Sequence, residues 1–398
     1  MQDGCMMYNE DSLFDLELSD DGGAVAVNDR ERFLETMLFG KPDRVTYWPS
    51  GPRKSTLDRW HREGLPADVH WTSYLGLDHV EDLPIDTGPV PRFEEVVLEE
   101  RGEYKVWIDE LGAKRLDFQE DATPGFVTRQ WLEFPVADQQ GFLRMRERFN
   151  PHSPARYPEW WGSKVRYYRD RDFVVGMRIR SLFETIRNWM GFEGICTAFL
   201  DQPGLMHEMM EFVADFLVET VRRAVREVEV DYVMFNEDMA YKTASMISPR
   251  MVREFMLPRY KKVVGFLRES GVPVVIMDSD GHISELIPLW IEAGFNATYP
   301  LEVAAGNDLI AYRKRFGHQF AYYGGLDKRE LARSKAAVER EVLAKLPWML
   351  AHGGGYIPAC DHGIPPDVPY QNYLHMLKLI RHISAGEALE PLEMSATN

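Results

Sequence analysis

The residues of this chain that could do chemistry stand directly after short apolar runs. The most informative run, residues 274–277, is followed at once by Asp278, Asp280 and His282. An apolar run of this length is typical of a strand that is buried on both faces of a parallel sheet. Carboxylates and imidazoles placed where such a strand ends can transfer protons or hold a divalent metal ion.

The same pattern recurs along the chain, with polar residues after each predicted strand. These residues are Arg178, Arg180, Glu237, Asp238, Glu302, Asp327, Lys328, Cys360, Asp361 and His362. In a barrel of parallel strands all carboxyl ends open on one rim, so residues distant in sequence can converge there. Such a rim would bind a metal, share protons through carboxylates of raised pKa, or pair its acids with arginines.

Several of these residues also have a purely structural interpretation, and the sequence leaves both interpretations open. Asp280 could cap the following helix, and Asp327 could be the N-cap of the helix after it. Glu302 could bond the backbone amides of the next turn. Glu237 and Asp238 are adjacent in sequence, so only one of them can point inward and the other would be a rim charge.

His362 is the strongest single candidate for a catalytic residue. It lies beside Asp361 in a loop rich in glycine and proline, with no apolar face to belong to. Its neighbour Cys360 is of a type found more often as a small buried hydrophobe than as a nucleophile. His282, at a predicted helix start, is typical of a capping or surface histidine. The sequence therefore favours an acid–base or ligand role for His362.

The elements that must position these residues alternate between strands and helices. The predicted strands are residues 45–48, 173–179, 231–235, 274–277, 296–299, 320–323 and a last one from 356, and the helices include residues 205–228, 284–293 and 370–383. Residues 95–99 and 104–108 flank a hairpin turn, and residues 113–118 add a further extended stretch. This order predicts an α/β fold, a (β/α)8 TIM barrel with an antiparallel β-hairpin insertion near its N-terminal third.

The domain organisation and the cellular setting follow from composition. A mobile acidic tail is expected at residues 1–27, before a single barrel domain at 28–398 with its insertion at about 90–135. The net charge of −17 argues against nucleic-acid or anionic-membrane partners. Three scattered cysteines make no disulfide framework, and no apolar run is long enough to span a membrane. We therefore expect a cytoplasmic protein that acts on a small molecule.

Six segments resemble the uroporphyrinogen decarboxylase superfamily, which includes cobalamin-dependent methyltransferases. The segments are N-D-R-E-R-F-L-E-T-M-L-F-G-K-P-D-R-V-T-Y-W-P at 28–49, E-D-M-A-Y-K at 237–242, S-P-R-M-V-R-E-F-M-L-P at 248–258, M-D-S-D-G-H-I at 277–283, P-L-E-V-A-A-G-N-D at 300–308 and D-H-G-I-P-P-D-V-P at 361–369. The resemblance implies a (β/α)8 barrel and aligns His362 with the active-site histidine of the decarboxylases. Tyr241, within the second segment, and Asp327 are further candidates for contact with a substrate.

The decarboxylase branch of the superfamily carries the signature M-R-Q-A-G-R after the first strand, and its arginines bind the carboxylates of the substrate. The matching stretch of this chain reads Pro-Ser-Gly-Pro-Arg-Lys at 49–54, so Arg53 alone corresponds to a signature arginine. By its position, Arg53 could meet an anion or belong to a solvated turn. The departure puts tetrapyrrole decarboxylation in doubt.

The methyltransferase branch holds a zinc ion with H-x-C-G at one strand end and a cysteine at the last. Here Asp278 and Asp280 stand in place of H-x-C, and His362 aligns with the late cysteine. Two carboxylates and an imidazole would hold a divalent metal, zinc or a harder ion, without soft thiolates. No corrinoid-binding D-x-H-x-x-G segment is present in the sequence, so a corrinoid would come on a separate protein.

The first hypothesis is therefore methyl transfer between a small methylated compound, or a corrinoid protein, and an acceptor. Under this hypothesis Asp278, Asp280 and His362 hold a metal or act as acid and base, while Glu302 and Glu237 orient the ligand.

The second hypothesis is decarboxylation of uroporphyrinogen or another acidic small molecule. Arg53, Arg178 and Arg180 would then anchor the carboxylates of the substrate. The third hypothesis is a barrel that binds a small molecule without catalysis. The sequence identifies neither the substrate nor the oligomeric state.

Overall fold

A computed structural model describes residues 27–102, 104–118 and 129–385 of the chain. Seven strands form a parallel sheet in the spatial order in which they are named here, namely β1 (Val80–Asp82), β6 (Val174–Arg180), β7 (Tyr232–Asn236), β8 (Val274–Asp278), β9 (Ala297–Tyr299), β10 (Ala321–Leu326) and β11 (Tyr356–Cys360). The expected acidic tail lies outside the described residues except for Val27. The fold is thus of the predicted α/β class, with strands added to the sheet in chain order.

Helices follow most of these strands and cover one face of the sheet. They are α1 (Asp29–Met37), α2 (Lys54–Arg62), α3 (Trp71–Tyr74), α4 (Gln139–Arg146), α5 (Trp161–Tyr167), α6 (Leu182–Asp201), α7 (Pro203–Glu227), α8 (Pro249–Met251), α9 (Leu257–Glu269), α10 (Ile287–Ala293), α11 (Leu309–Phe316), α12 (Lys328–Arg333), α13 (Lys335–Ala351) and α14 (Tyr370–Ser384). Among the described residues, no helix has both the length and the apolar character that crossing a membrane requires.

The other face of the sheet is concave and carries a core of its own. Side chains alternate along a strand, so every second residue of β6 to β11 contributes to this inner face. Its buried apolar members form one cluster that runs from Val174 on β6 to Ile357 and Ala359 on β11. Phe33 and Met37 of α1 belong to the same cluster. Helix α1 therefore closes the end of the curled sheet where the strands begin.

The predicted first strand differs from the structure. Residues 45–48 have no strand conformation, although the Tyr47 carbonyl accepts from the Asp78 amide at 3.1 Å. A little further on, the Ile364 amide donates to the Gly51 carbonyl at 2.9 Å. The stretch thus lies between β1 and the loop after β11. Pro49 and Pro52 have no amide hydrogen, which limits the ladder that this stretch can form.

The predicted hairpin insertion is a separate four-stranded antiparallel sheet. Its strands, in spatial order, are β2 (Val96–Arg101), β3 (Tyr104–Ile108), β4 (Lys114–Phe118) and β5 (Arg129–Glu133). The sequence predicted the first three strands but not β5. All five residues of β5 are exposed, so the strand has no buried face to produce an alternating apolar pattern.

Candidate functional site

Neighbouring strands place a row of polar side chains across the inner face at the carboxyl ends. Register pairs Arg180 with Asn236, Asn236 with Asp278, and Asp278 with Tyr299. Residues in register on neighbouring strands point to the same face, so these four side chains form one layer. The Asn236 side-chain amide donates to Asp278 Oδ2 at 3.1 Å. The layer lies above the apolar inner core.

Asp278 is the most buried acid of this layer. Burial raises its pKa well above the ordinary value, and the nearby charges of Asp238 and Asp280 raise it further. The positive charges of Arg178 and His362 act in the opposite direction without reversing the shift. Asp278 therefore favours the protonated form more than an ordinary aspartate does, which suits a carboxyl that donates a proton.

His362 and Asp280 form a partly exposed pair above Asp278. His362 Nε2 lies 3.2 Å from Asp280 Oδ2, and the side chains are 27% and 40% exposed. His362 Nδ1 lies 3.2 Å from the Gly363 carbonyl and 3.3 Å from Arg53 Nη2. The hydrogen bond to Asp280 raises the pKa of His362 despite partial burial. Two oxygen acceptors, one near each ring nitrogen, suit an imidazolium, while the Arg53 guanidinium near Nδ1 opposes its positive charge.

The pKa of Asp280 shifts in the opposite direction. Burial alone would raise it, but the hydrogen bond and charge of His362, with Lys328 and Arg53, lower it overall. The Asp280 amide also donates to Asp238 Oδ1 at 3.1 Å. Asp280 is thus an ionised partner for His362, held through both its side chain and its backbone.

The loop that carries Asp280 is fixed by its neighbours. Gly281 has a φ of +79°, and a Cβ there would lie 2.5 Å from the Ala240 carbonyl oxygen. Only glycine fits this conformation and this close approach without strain. The Gly281 amide donates to Glu302 Oε2 at 3.2 Å, and Glu302 Oε1 accepts from Lys328 Nζ at 2.8 Å. Glu302 therefore connects the Asp280 loop to the start of α12.

Asp361 holds the loops of the same rim in place through hydrogen bonds to their backbone amides. It is fully buried, and its two oxygens accept from the Lys328 amide at 2.9 Å and the Val303 amide at 2.8 Å. Burial raises the pKa of Asp361, while these two amides act against the shift. Asp361 thus joins the loops after β9, β10 and β11, and so fixes the positions of Glu302 and Lys328 relative to His362.

Arginines form the wall on the β6 side of the site. Arg178 and Arg180, with Asn236 and Arg92, help line a cavity of about 400 Å³ at the strand ends. Arg178 Nε donates to Asp82 Oδ2 at 3.0 Å. Arg178 and Arg180 are cationic groups suited to a carboxylate, although Asp86 and Glu184 line the same cavity.

Glu237 does not join this group. It follows Asn236 by one position and so points to the outer face, where its carboxylate is fully buried. It accepts from the amides of Phe183 at 3.0 Å and Glu184 at 3.2 Å, and from the Tyr260 hydroxyl. Burial raises the pKa of Glu237 to about 7. Contrary to the expectation that the outward acid is a solvated rim charge, Glu237 links β7 to the helix layer.

Two predicted substrate contacts also lie outside the cluster. Asp327 is the N-cap of α12 and accepts from the Arg329 amide at 2.9 Å, as in its structural interpretation. The Tyr241 side chain is 69% exposed, and its carbonyl accepts from the His282 amide at 2.8 Å. Cys360 is buried, and burial raises the pKa of its thiol, in keeping with a small apolar residue.

Sequence reasoning selected neither Asn236 nor Lys328 for the site. Asn236 is the last residue of β7 and shares its face with Tyr232 and Met234, so the two-residue period of that strand indicated its direction. Lys328 stood among the strand-end residues, but only the folded chain brings its amine to Glu302. No local pattern contains that pairing.

The predicted metal ligands do not form a metal centre in the structure. Within the ranges that the structure describes, no group of three or more His, Cys, Asp or Glu residues is arranged to hold a metal ion. Asp280 and His362 are paired with each other, whereas the Asp278 carboxylate receives the Asn236 amide. The three predicted ligands are thus not arranged as a three-ligand group in the described structure, and a bound metal stays a prediction.

Comparison with solved structures identifies a similar fold. A methyltransferase from Methanosarcina mazei superimposes with a TM-score of 0.58 at 13% sequence identity, covering 89% of this chain and 99% of the other. At this identity the likeness shows the fold alone.

Sequence comparisons identify the family. Uroporphyrinogen decarboxylases from Legionella pneumophila (strain Corby) and Erwinia tasmaniensis are 28% and 27% identical over 183 and 188 residues, which cover 45% and 46% of this chain. The matches span 47% and 50% of those proteins, so the chain spans about half the length of these relatives. The family model for uroporphyrinogen decarboxylase (URO-D) matches residues 181–383, just over half of the 398 residues. The chain therefore belongs to the uroporphyrinogen decarboxylase family.

Proposed function

We propose that this protein is an enzyme that binds an acidic small molecule at its strand ends and acts on it by proton transfer, with decarboxylation as the reaction class. The observation that carries the proposal is the position of Asp278 between two groups. Its carboxyl interacts electrostatically with Arg178 on one side and with the Asp280–His362 pair on the other. A candidate carboxylate anchor and a candidate proton donor thus both act on this one buried carboxyl.

The chemistry assigns these groups different tasks. When a carboxylate leaves as CO₂, the electron pair of the broken bond stays on carbon and must be captured by a proton. The His362 imidazolium can supply this proton, and the paired Asp280 stabilises the charged ring beforehand. Arg178 and Arg53 would bind the carboxylates that remain on the substrate, since guanidinium groups suit carboxylate geometry.

The relatives support the reaction class. Those that match in sequence are named uroporphyrinogen decarboxylases. The region that the family model matches, residues 181–383, includes Glu237, Asp278 and His362. This chain keeps one arginine, Arg53, where the decarboxylase signature has more. We therefore favour an acidic small molecule other than uroporphyrinogen as the substrate.

Methyl transfer, the first hypothesis from the sequence, has less support. In the related methyltransferases a metal-bound thiolate carries the reaction, whereas Asp278, Asp280 and His362 form no three-ligand group. Methyl transfer, the metal ion, a separate corrinoid protein and a cytoplasmic location all stay predictions. Elemental analysis of the purified protein tests the metal directly.

The proposal is tested by supplying purified protein with uroporphyrinogen and a panel of small carboxylic acids while released CO₂ is measured. We expect release from at least one acid and a fall in kcat of about 100-fold or more in His362→Gln. The matched control is His375→Gln, because His375 Nε2 also lies close to a carboxylate, Glu339, at 2.9 Å. The control should keep the wild-type kcat.

Two results would overturn the proposal. One is CO₂ release that His362→Gln leaves at the wild-type rate. The other is stabilisation by an acid in a thermal shift assay with no turnover of any acid, which would favour the third hypothesis of a non-catalytic binding protein.

A further inference from the structure

A cleft of about 780 Å³ opens in the side of the parallel sheet. It lies between residues 47–51 and residues 70–81, which lead into β1. The cleft exists because the stretch predicted as a first strand forms no strand and leaves that side of the sheet incompletely closed. Its volume is within the range of cavities that bind small molecules.

Aromatic rings form the inner wall of the cleft. The rings of Trp48 and Tyr323 are stacked with centroids 4.7 Å apart at an interplanar angle of 24°. Tyr323 in turn contacts Tyr299, with centroids 4.5 Å apart at 37°. All three residues line the cleft, and so does Trp71 from α3. Tyr323 is itself buried, whereas Trp48 is partly exposed and offers a surface on which a flat ring can stack.

Arg178 stands at the inner end of this wall. It projects from β6 to the inner face, and 39% of its side chain is exposed where the two cavities lie. Arg178 lines both the cleft and the cavity of about 400 Å³ at the strand ends. A ligand in the cleft would therefore present a charged group towards the site that contains Asp278.

The acidic residues of the cleft have partners within the protein. Asp78 Oδ2 accepts from Arg44 Nη1 at 3.0 Å, and Glu81 Oε2 accepts from Lys164 Nζ at 3.1 Å. These partners offset the negative charge that would otherwise repel an anion. The paired acids of the cleft thus permit an anionic ligand, with Arg178 as its cation on the inner face, where Arg178 Nε is also paired with Asp82.

We propose that this cleft binds the ring of a small aromatic carboxylate, stacked on Trp48, while Arg178 receives the carboxylate. The inference rests on the proposed function, for which it names the substrate class. It also makes a separate claim, because ring recognition depends on the side cleft, whereas proton transfer depends on the strand ends.

The test uses benzoate as the probe, with benzamide as a neutral ring and cyclohexanecarboxylate as an acid without an aromatic ring. Isothermal titration calorimetry should show benzoate binding about tenfold more tightly than either of the other two. Trp48→Leu should weaken benzoate binding by about tenfold. Trp131→Leu is the matched control, since Trp131 is an exposed tryptophan on β5 and does not line the cleft.

The role of Arg178 is tested by the affinities of its variants for benzoate and for benzamide. Arg178→Gln should bring the affinities for benzoate and benzamide together, and Arg178→Lys should restore part of the preference for the anion. Equal binding of the three probes by the wild type would overturn the inference without any variant. Equal benzoate affinity in Trp48→Leu and Trp131→Leu would also overturn it.

The outcomes separate this inference from the proposed function. Benzoate binding that depends on Trp48, with no CO₂ released from any acid, would support the cleft and reject decarboxylation. CO₂ release from non-aromatic acids, together with no preference for benzoate, would reject the cleft and retain the proposed reaction.

Discussion

Asp278 and Glu237 are buried carboxyls on neighbouring strands, and burial raises the pKa of both. Asp278 ends β8 in register with Asn236, whereas Glu237 lies one position beyond the end of β7 and points to the other face. Asp278 consequently lies on the inner face of the sheet beside Asn236, and Glu237 faces the helices. The comparison teaches that burial and a raised pKa do not distinguish a catalytic carboxyl from a structural one, while the face of the strand does.

The two carboxyls also differ in the number of hydrogen bonds that their oxygens accept. Glu237 accepts from two amides at the start of α6 and from the Tyr260 hydroxyl on α9. Asp278 receives the Asn236 side-chain amide, which leaves acceptor capacity for a ligand. Glu237 therefore holds β7 and two helices together, whereas Asp278 keeps capacity for chemistry.

The largest expected effect is on stability. Glu237→Leu should lower the free energy of unfolding by about 4 kcal/mol, because it leaves two amides and the Tyr260 hydroxyl buried without an acceptor. Asp278→Leu should cost less than about 2 kcal/mol, since it removes the acceptor of one partner, Asn236. Urea unfolding followed by circular dichroism measures both variants. Equal losses would contradict the distinction between the two carboxyls.

The next effect is a pH dependence of stability. The pKa of Glu237 rises from 4.5 to about 7 on folding, so the folded state binds this proton more tightly than the unfolded state. The free energy of unfolding should therefore fall by about 3 kcal/mol in total as pH rises from 4.5 to 7.

Glu237→Gln should remove this contribution and flatten the stability profile between pH 4.5 and 7. Asp278→Asn should also flatten the profile, starting near pH 4, because the pKa of Asp278 is likewise raised on folding. Urea midpoints across the pH range measure both. A Glu237→Gln profile that parallels the wild type would refute the burial explanation.

The smallest effect concerns the partly exposed His362–Asp280 pair. Asp280→Asn should lower the pKa of His362 towards its ordinary value, because the hydrogen bond to Asp280 is the main cause of the rise. Titration of the imidazole by NMR, with its signal assigned by its loss in His362→Gln, measures the shift. Glu237→Gln should leave this titration unchanged, since Glu237 lies on the other face of the sheet.

The pair also predicts a pH window for its own contribution to stability. Because folding raises the pKa of His362, its contribution to stability is complete below pH 6.5. That contribution is lost as the pH rises through the pKa that His362 has in the folded state. Because folding lowers the pKa of Asp280, its contribution to stability is complete above pH 3.8. That contribution is lost as the pH falls through the pKa that Asp280 has in the folded state. The pair should therefore stabilise the fold most between about pH 4 and 6.5. In Asp280→Asn the stability profile should lose this maximum.

The strands of the parallel sheet were predictable because their signal is local. The run predicted at 274–277 is β8, and that at 231–235 overlaps β7 with a shift of one residue. Apolar residues on both faces of a strand remain visible in a short window of sequence. The strand predicted at 45–48 was wrong, since its apolar residues pack against the core without forming a ladder.

The candidate site was predictable only as a set of residue types. The carboxyl-end rule placed His362, Asp280 and Glu302 at one rim, and the structure brings them together. The same rule could not separate them from Glu237 and Asp327, because all five residues follow a predicted strand. Their separation needed the register of each strand.

By itself the sequence determined the fold class, the strand order along the chain and the acidic, histidine-containing character of the strand ends. Apolar runs, and the polar residues that end each of them, carry that information locally. Only the tertiary structure decided which acids lie on the inner face of the sheet, because a shift of one residue along a strand reverses the direction of every side chain. It also decided that Lys328 meets Glu302 and that an aromatic cleft opens beside Arg178, since such contacts join segments that no local pattern connects.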